Sequence, residues 1–199
     1  MTVIDKIVVD LDDTLNSLTM HLLRLTGADC GSFDYHKFPH EVGYDMVAAW
    51  AEMTGNDPIP VPEWWEMITR DMWSCAPKSD QFWLLDRCAG LVGQENVLMA
   101  TVPTKCGECL AGKYDWMEKH LPDWMQRQYA VIPRKHWLSQ PGVLLIDDSG
   151  ANCEKWEDPG GFQEGGDTII VPRPWNWARH HDTDEYIEYQ LRCFNYTNE

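Results

Sequence analysis

The stretch Asp10-Leu11-Asp12-Asp13-Thr14 packs three carboxylates and a hydroxyl into five residues directly after an apolar run. A second acidic pair, Asp147-Asp148, follows another apolar run and precedes Ser149. Carboxylates brought together from two strand ends form an oxygen-rich site suited to a hard cation such as Mg2+. Acidic residues at strand ends also cap helices and turns. One such cluster reads as a cap; two, each behind a buried run, point to a shared site. Thr101 ends a third apolar run, and Lys105, Lys113 and Lys135 are the ammoniums in range to join it.

Those residues need strands to converge. Lys6 to Val9, Asn96 to Thr101, Val143 to Ile146 and Thr168 to Val171 are short apolar runs without alternation, as central strands covered on both faces require. Helical spacing recurs between them, at Phe82, Leu85, Ala89 and Val92 and at Leu110, Tyr114, Met117 and Leu121. Strands alternating with helices predict a parallel sheet with right-handed crossovers, with ligands beyond the carboxyl ends of its strands. Between the first two strands the chain is too long for one crossover. Val42, Met46, Ala49, Trp50 and Met53 share one helical stripe, GNDPIPVP at 55–62 breaks it, and a second helix from about Pro62 carries Trp64, Trp65, Ile68 and Met72. Residues 17–78 are therefore expected to form a helical insertion on an α/β core made of 1–16 and 79–199.

The motifs resemble those of the haloacid dehalogenase (HAD) superfamily of phosphatases. DLDDT at 10–14 is similar to the family's DxDxT signature and LLIDD at 144–148 to its last acidic motif. Thr101 stands where the family has a Ser or Thr, and Lys135 where it has its lysine. The resemblance runs from about residue 3 to 174 and implies a Rossmann-like core with a helical cap inserted after the first strand. It implies Asp10 as nucleophile, Asp12 as acid and base, and Mg2+ held by Asp10, the Asp12 carbonyl, Asp147 and Asp148. Thr101 and Lys135 would bind the phosphoryl oxygens, with Lys135 preferred over Lys105 and Lys113 by its distance from LLIDD. Thr14 would close the loop and take part in substrate binding. Asp13 is expected to be a solvated or helix-start carboxylate, and Asn152 to order its loop. The insertion and the segments CLAGKYDW (109–116) and VPRPWN (171–176) resemble the 5'(3')-deoxyribonucleotidase branch with its phage and bacterial relatives.

The net charge of -16 disfavours a nucleic-acid duplex as partner and leaves room for a small phosphate ester. Flat rings suit a nucleotide base. Phe33, Tyr35, Phe38, Tyr44, Trp64, Trp65 and Trp73 are available in the insertion, with Trp64 and Trp65 the first candidates and each alternatively a core residue. No apolar run approaches the ~20 residues that span a bilayer, and MTVIDKIVVDLDD does not read as a signal peptide. A cytoplasmic protein with free thiols is expected from this and from seven scattered cysteines. Cys106 and Cys109 form a CxxC without a second pair, so no metal is assigned to them. Tyr186, Ile187 and Leu191 predict a helix that packs on the core or on a second subunit, so a homodimer is open. The expected activity is a Mg2+-dependent phosphomonoesterase on (deoxy)nucleoside monophosphates. A phosphatase for another ester such as a sugar phosphate, or a catalytically silent binding protein of the same fold, are the alternatives.

Overall fold

The computed structural model of the chain describes residues 3–29 and 35–197. Seven strands occur there: β1 (Val3–Ile4), β2 (Lys6–Asp10), β3 (Val97–Thr101), β4 (Tyr129–Val131), β5 (Val143–Asp147), β6 (Asp167–Ile170) and β7 (Asn195–Tyr196). Five form a wholly parallel sheet in the order β4-β3-β2-β5-β6, while β1 and β7 pair with each other. The fold is α/β, as the sequence predicts. Asp10 lies beside Ala100, and Val9 beside Ile146, so the polar ends of β2, β3 and β5 reach one edge of the sheet.

Both faces of the sheet are covered, which is why the strands read as continuous apolar runs. Ile7, Val9, Met99, Leu144 and Ile146 enter one large core cluster. Val8, Ala100, Val143 and Leu145 enter a second around Trp156. The strand β4 is not among those expected from the sequence: its run Tyr129 to Ile132 is apolar but short, and at the sheet edge the three strand residues are half-buried or exposed.

The chain leaves the sheet at Asn16 and returns at Lys78, and these two form an antiparallel bridge. The Ser17 and Ser79 amides donate to Pro77 O and Leu15 O, both at 3.0 Å, and Ser79 Oγ donates to Thr14 O at 2.5 Å. Between them lie α1 (Leu18–Leu25), α2 (Met46–Thr54), α3 (Val61–Glu66) and α4 (Arg70–Ser74). The helix expected from Val42 begins only at Met46, where Asp45 accepts the Ala48 amide as its N-cap; Val42 ends a separate 3-10 turn before Gly43. The helix expected from Pro62 is two: α3 stops at Glu66, and the Thr69 hydroxyl caps a new start. Competition from that side-chain cap breaks a continuous apolar pattern.

The remaining helices are α5 (Leu84–Val92), α6 (Gly107–His120), α7 (Gly150–Glu157) and α8 (Thr183–Leu191). On α6 the expected stripe holds only in its second half, where Met117 and Leu121 are buried. Leu110 and Tyr114 are exposed, and the buried face is Cys109, Gly112, Lys113, Trp116 and Met117. The cause is contact with α4: a Cβ at Gly112 would stand 2.3 Å from the Trp73 Cβ and 2.6 Å from Arg70 O. Arg70 clamps the same face with Nε and Nη2 on the Asp115 carboxylate, at 2.5 and 2.7 Å. α8 buries Ile187 and Leu191 in the main core of this chain. Among the described residues no helix is long and apolar enough to cross a membrane.

Candidate active site

Asp10, at the end of β2, and Asp147 and Asp148, at the end of β5, bring carboxylate oxygens within 4.8 Å of one another, all buried. The Lys135 ammonium, on a 3-10 turn before β5, donates to Asp10 Oδ1 and to Asp147 Oδ2, the latter at 2.7 Å. Ser149 N and Asn152 Nδ2 also donate to the Asp147 carboxylate. Asn152 thus orders the acidic loop from the first turn of α7. Asp148 Oδ2 accepts the Trp175 indole N–H at 2.7 Å, and Asn176 Nδ2 holds the Asp148 carbonyl at 2.8 Å.

A second ammonium stands on the other side. Lys113, buried on α6, donates to Asp12, to Thr101 Oγ1 at 2.9 Å and to Val102 O at 2.7 Å. Asn16 Nδ2 reaches the other Asp12 oxygen at 3.3 Å. The Asp12 carboxylate therefore stands outside the three-carboxylate group. Lys105 is exposed on the loop before α6. The sequence weighed Lys113 against Lys135 for one role; the structure puts both at the acidic loop, on different carboxylates.

Asp13 is not solvated. It is fully buried in the left-handed region with φ 57°, accepts from Thr19 N and Thr19 Oγ1 at the start of α1, and accepts from the Tyr35 hydroxyl at 3.0 Å. Arg173 Nε donates to its carbonyl at 2.8 Å. The Thr14 hydroxyl is buried without a hydrogen-bond partner among the described residues, and it is the Thr14 carbonyl that closes the loop. Thr14 and Trp64 both lack exposed surface; Thr14 shares this with Thr101 and Asp147 at the acidic loop, whereas Trp64 packs in the apolar core away from it. Trp64 is core, and half-buried Trp65 stacks on Trp73 with ring centroids 5.6 Å apart. Phe33 lies outside the described residues.

The aromatics facing the acidic loop are others. Tyr35, Phe38 and Tyr44 surround Trp175 with ring centroids 5.9, 5.0 and 5.3 Å from it. The Tyr44 ring is largely exposed, while desolvation of its hydroxyl end and the charges of Asp13, Asp148, Asp12 and Asp10 hold its pKa well above the usual value. Trp175 has a sequence signal in the RPWN segment, and its tie to Asp148 has none.

Burial dominates the electrostatics. It pushes the Asp10 carboxyl up to about 7; Lys135 opposes this and Asp147 and Asp12 add to it. Burial raises Asp13 to about 6, against its Thr19 bonds. Asp148 is raised well above the ordinary range by burial and by Asp147. Lys135 goes the other way: burial lowers its pKa, and the Asp10 and Asp147 charges more than offset that. Four carboxylates face two ammoniums here, an excess that a divalent cation would neutralise. The all-oxygen donors Asp10, Asp147 and Asp148 fit a hard cation by number, charge and spacing. Cys106 and Cys109 are free thiols, and the Cys109 sulfur accepts the Thr104 amide at 3.5 Å.

No protein-family model and no curated protein matches the sequence. Solved structures do. A hydrolase from Streptococcus pneumoniae TIGR4 superposes with a TM-score of 0.52, covering 95% of this chain and 98% of that one at 12% identity. A haloacid dehalogenase-like hydrolase from Bacteroides fragilis gives 0.46 at 13% identity, covering 89% and 100%. L-2-haloacid dehalogenase from Xanthobacter autotrophicus, with chloropropionic acid covalently bound, gives 0.40 at 12%, covering 88% and 97%. At these identities the likeness is one of fold alone, a Rossmann-like parallel α/β sheet flanked by helices.

Proposed function

We propose that the chain is a hydrolase of phosphate monoesters, acting through an aspartyl-phosphate on Asp10, with a nucleoside monophosphate as substrate. The observation that carries the reading is the Lys135 ammonium bonded to both Asp10 and Asp147 within a buried cluster of three carboxylates. Asp10 Oδ2 has no hydrogen-bond partner among the described residues, so the carboxylate keeps one uncommitted oxygen.

In the first step an Asp10 oxygen would bond to phosphorus while the bond to the ester oxygen breaks, and Asp12 would give that oxygen its proton. In the second, water would attack phosphorus as Asp12 takes its proton, releasing phosphate and restoring the Asp10 carboxylate. Lys113 and Asn16 hold the Asp12 carboxylate in place. Thr101 and Lys113 present a hydroxyl and an ammonium beside it for the phosphoryl oxygens, and Lys135 screens Asp10 from a second anion. Asp10, Asp147 and Asp148 would hold Mg2+, which when bound screens the repulsion between carboxylate and phosphate. The helical segment between Asn16 and Lys78 serves as a cap that excludes water.

Displacement of halide from a haloacid uses the same nucleophile. It needs neither a proton donor for the leaving group nor an excess of carboxylates, so Asp12 and the acidic cluster favour the phosphatase reading. The test is phosphate release from a panel of nucleotides, sugar phosphates and an aryl phosphate, with Mg2+ and with chelator, alongside chloride release from 2-chloropropionate. Asp10→Asn is expected to remain folded with under about a hundredth of the activity, since losing a nucleophile costs orders of magnitude. A folded Asn variant that keeps its activity sinks the assignment.

A further inference from the structure

A cavity of about 720 Å3 opens between the neck of the helical segment, residues 35–40 and the chain after β6. None of Asp10, Asp12, Thr101, Asp147 or Asp148 lines it. Its charge is the reverse of the chain's. The sequence has 32 acidic residues against 16 Lys and Arg, yet Lys78, Arg173 and Arg179 line the cavity against Asp80 among its described residues. His36, His40, His180 and His181, four of the chain's seven histidines, are there as well. An excess of one charge sign against low-dielectric walls focuses the field and draws counter-ions in.

Three details point to an anionic ligand. Arg173 is fixed at the floor, nearly buried, with Nη2 on Gln81 Oε1 at 2.7 Å and its guanidinium 4.7 Å from the Tyr35 ring centre. Arg179, at the rim, has no side-chain hydrogen bond or ion pair among the described residues, although carboxylates outnumber Lys and Arg two to one. The histidines do not form a metal site, because the converging group of ligand atoms among the described residues is that of Asp10, Asp147 and Asp148. The volume is that of cavities that take an organic ligand and far exceeds a single phosphate ion. We propose that this cavity is a second binding site, for a small molecule carrying a chain of phosphates, distinct from the site around Asp10. The ligand is inorganic oligophosphate or a nucleoside polyphosphate, whose flat base would find the Tyr35 and Phe38 rings in the lining. It would rest against Arg173 and Tyr35, the two side chains that hold Asp13 in the acidic loop.

The experiment is titration calorimetry of the full chain with tripolyphosphate, in chelator so that no cation bridges it to the carboxylates. One site of submillimolar affinity is expected. Arg179→Ala, at an exposed position, should weaken it about 5-fold or more without moving the melting temperature; Lys78→Ala, whose ammonium also lies over the Phe82 ring, should weaken it likewise, and Lys113→Ala should leave it intact. A parallel titration with a non-hydrolysable nucleoside triphosphate separates the sources: tighter binding selects the nucleotide, equal binding the phosphate chain alone. Absence of binding at millimolar concentration overturns the proposal. So does binding that is lost in Lys113→Ala and kept in Arg179→Ala, which would put the anion in the Asp10 site. Phosphatase activity plays no part in the readout, so failure here and failure of the proposed function are separate results.

Discussion

The indole N–H of Trp175 donates to Asp148 Oδ2 at 2.7 Å while its ring packs among Tyr35, Phe38 and Tyr44 of the helical segment. One side chain thus joins the acidic cluster to the element expected to cover it. Hydrogen bonds to the groups that hold a metal typically govern affinity by 10- to 100-fold. Trp175→Phe keeps the ring packing and removes the donor. It is expected to weaken Mg2+ binding by about 10-fold, seen both in the activation constant and in calorimetric titration of the metal. An unchanged metal affinity with an altered substrate KM would instead make Trp175 a substrate contact alone.

The raised carboxyls set a pH dependence for the metal-free protein. Asp10 and Asp13 rise from 3.8 in the unfolded chain to about 7 and about 6. Folding therefore takes up protons, and the stability these groups contribute is full below about pH 4 and lost as pH rises through 6 to 7. In chelator the melting temperature at pH 5 should exceed that at pH 8 by at least about 5 °C, since a few kcal/mol moves a chain of this size that far. Mg2+ at pH 8 should restore much of the difference by binding the folded state. Greater stability at pH 8 than at pH 5 in chelator would contradict the burial of these carboxyls.

The two buried lysines should separate by what they hold. Lys113→Ala removes the donor shared by Asp12 and Thr101 and is expected to lower kcat by roughly 10²-fold, the scale of one preorganised contact. Lys135→Ala should lower it at least as much and also destabilise the fold by about 3–5 kcal/mol, because Asp10 and Asp147 lose their shared partner in the interior. Lys105→Ala, on an exposed loop, should change neither. Steady-state kinetics with denaturant melts distinguish the three, and a large loss from Lys105→Ala would reassign the phosphate contacts.

The readable part of this fold was the part whose side chains all face the same kind of surroundings. The strands β2, β3 and β5 are apolar on both faces, so each appears as an unbroken run, and the acidic residues that end β2 and β5 mark the edge where they meet. Signals failed where polar or small residues are buried for a local reason. Lys113 and Gly112 on α6 do not look like a core face, yet one is held by Asp12 and the other lies against Trp73. Asp13 has the composition of a solvated loop residue and is buried because Thr19 of the next helix satisfies its carboxylate together with Tyr35, while Arg173 from the far end of the chain takes its carbonyl. Such partners are set by tertiary placement, and no spacing along the chain encodes them.

Base selection is the remaining question about the proposed substrate, and the ring positions redirect it. Trp64 is sealed in the core, so truncating it would report folding and not recognition. Tyr44 is 56% exposed, and its ring rests on Trp175, whose indole N–H is held by Asp148. A base could stack there, and stacking is worth about 1–3 kcal/mol, roughly 5- to 150-fold in selectivity. Tyr44→Ala should therefore lower kcat/KM for nucleoside monophosphates by about 5-fold or more while changing that for a simple sugar phosphate little. Trp65→Ala should fall between, because Trp65 is already stacked on Trp73 and half-buried. Equal losses on both substrates from Tyr44→Ala would make the tyrosine a closure contact, and equal kcat/KM for both in the unaltered enzyme would remove the nucleotide from the proposal while leaving the phosphoryl chemistry in place.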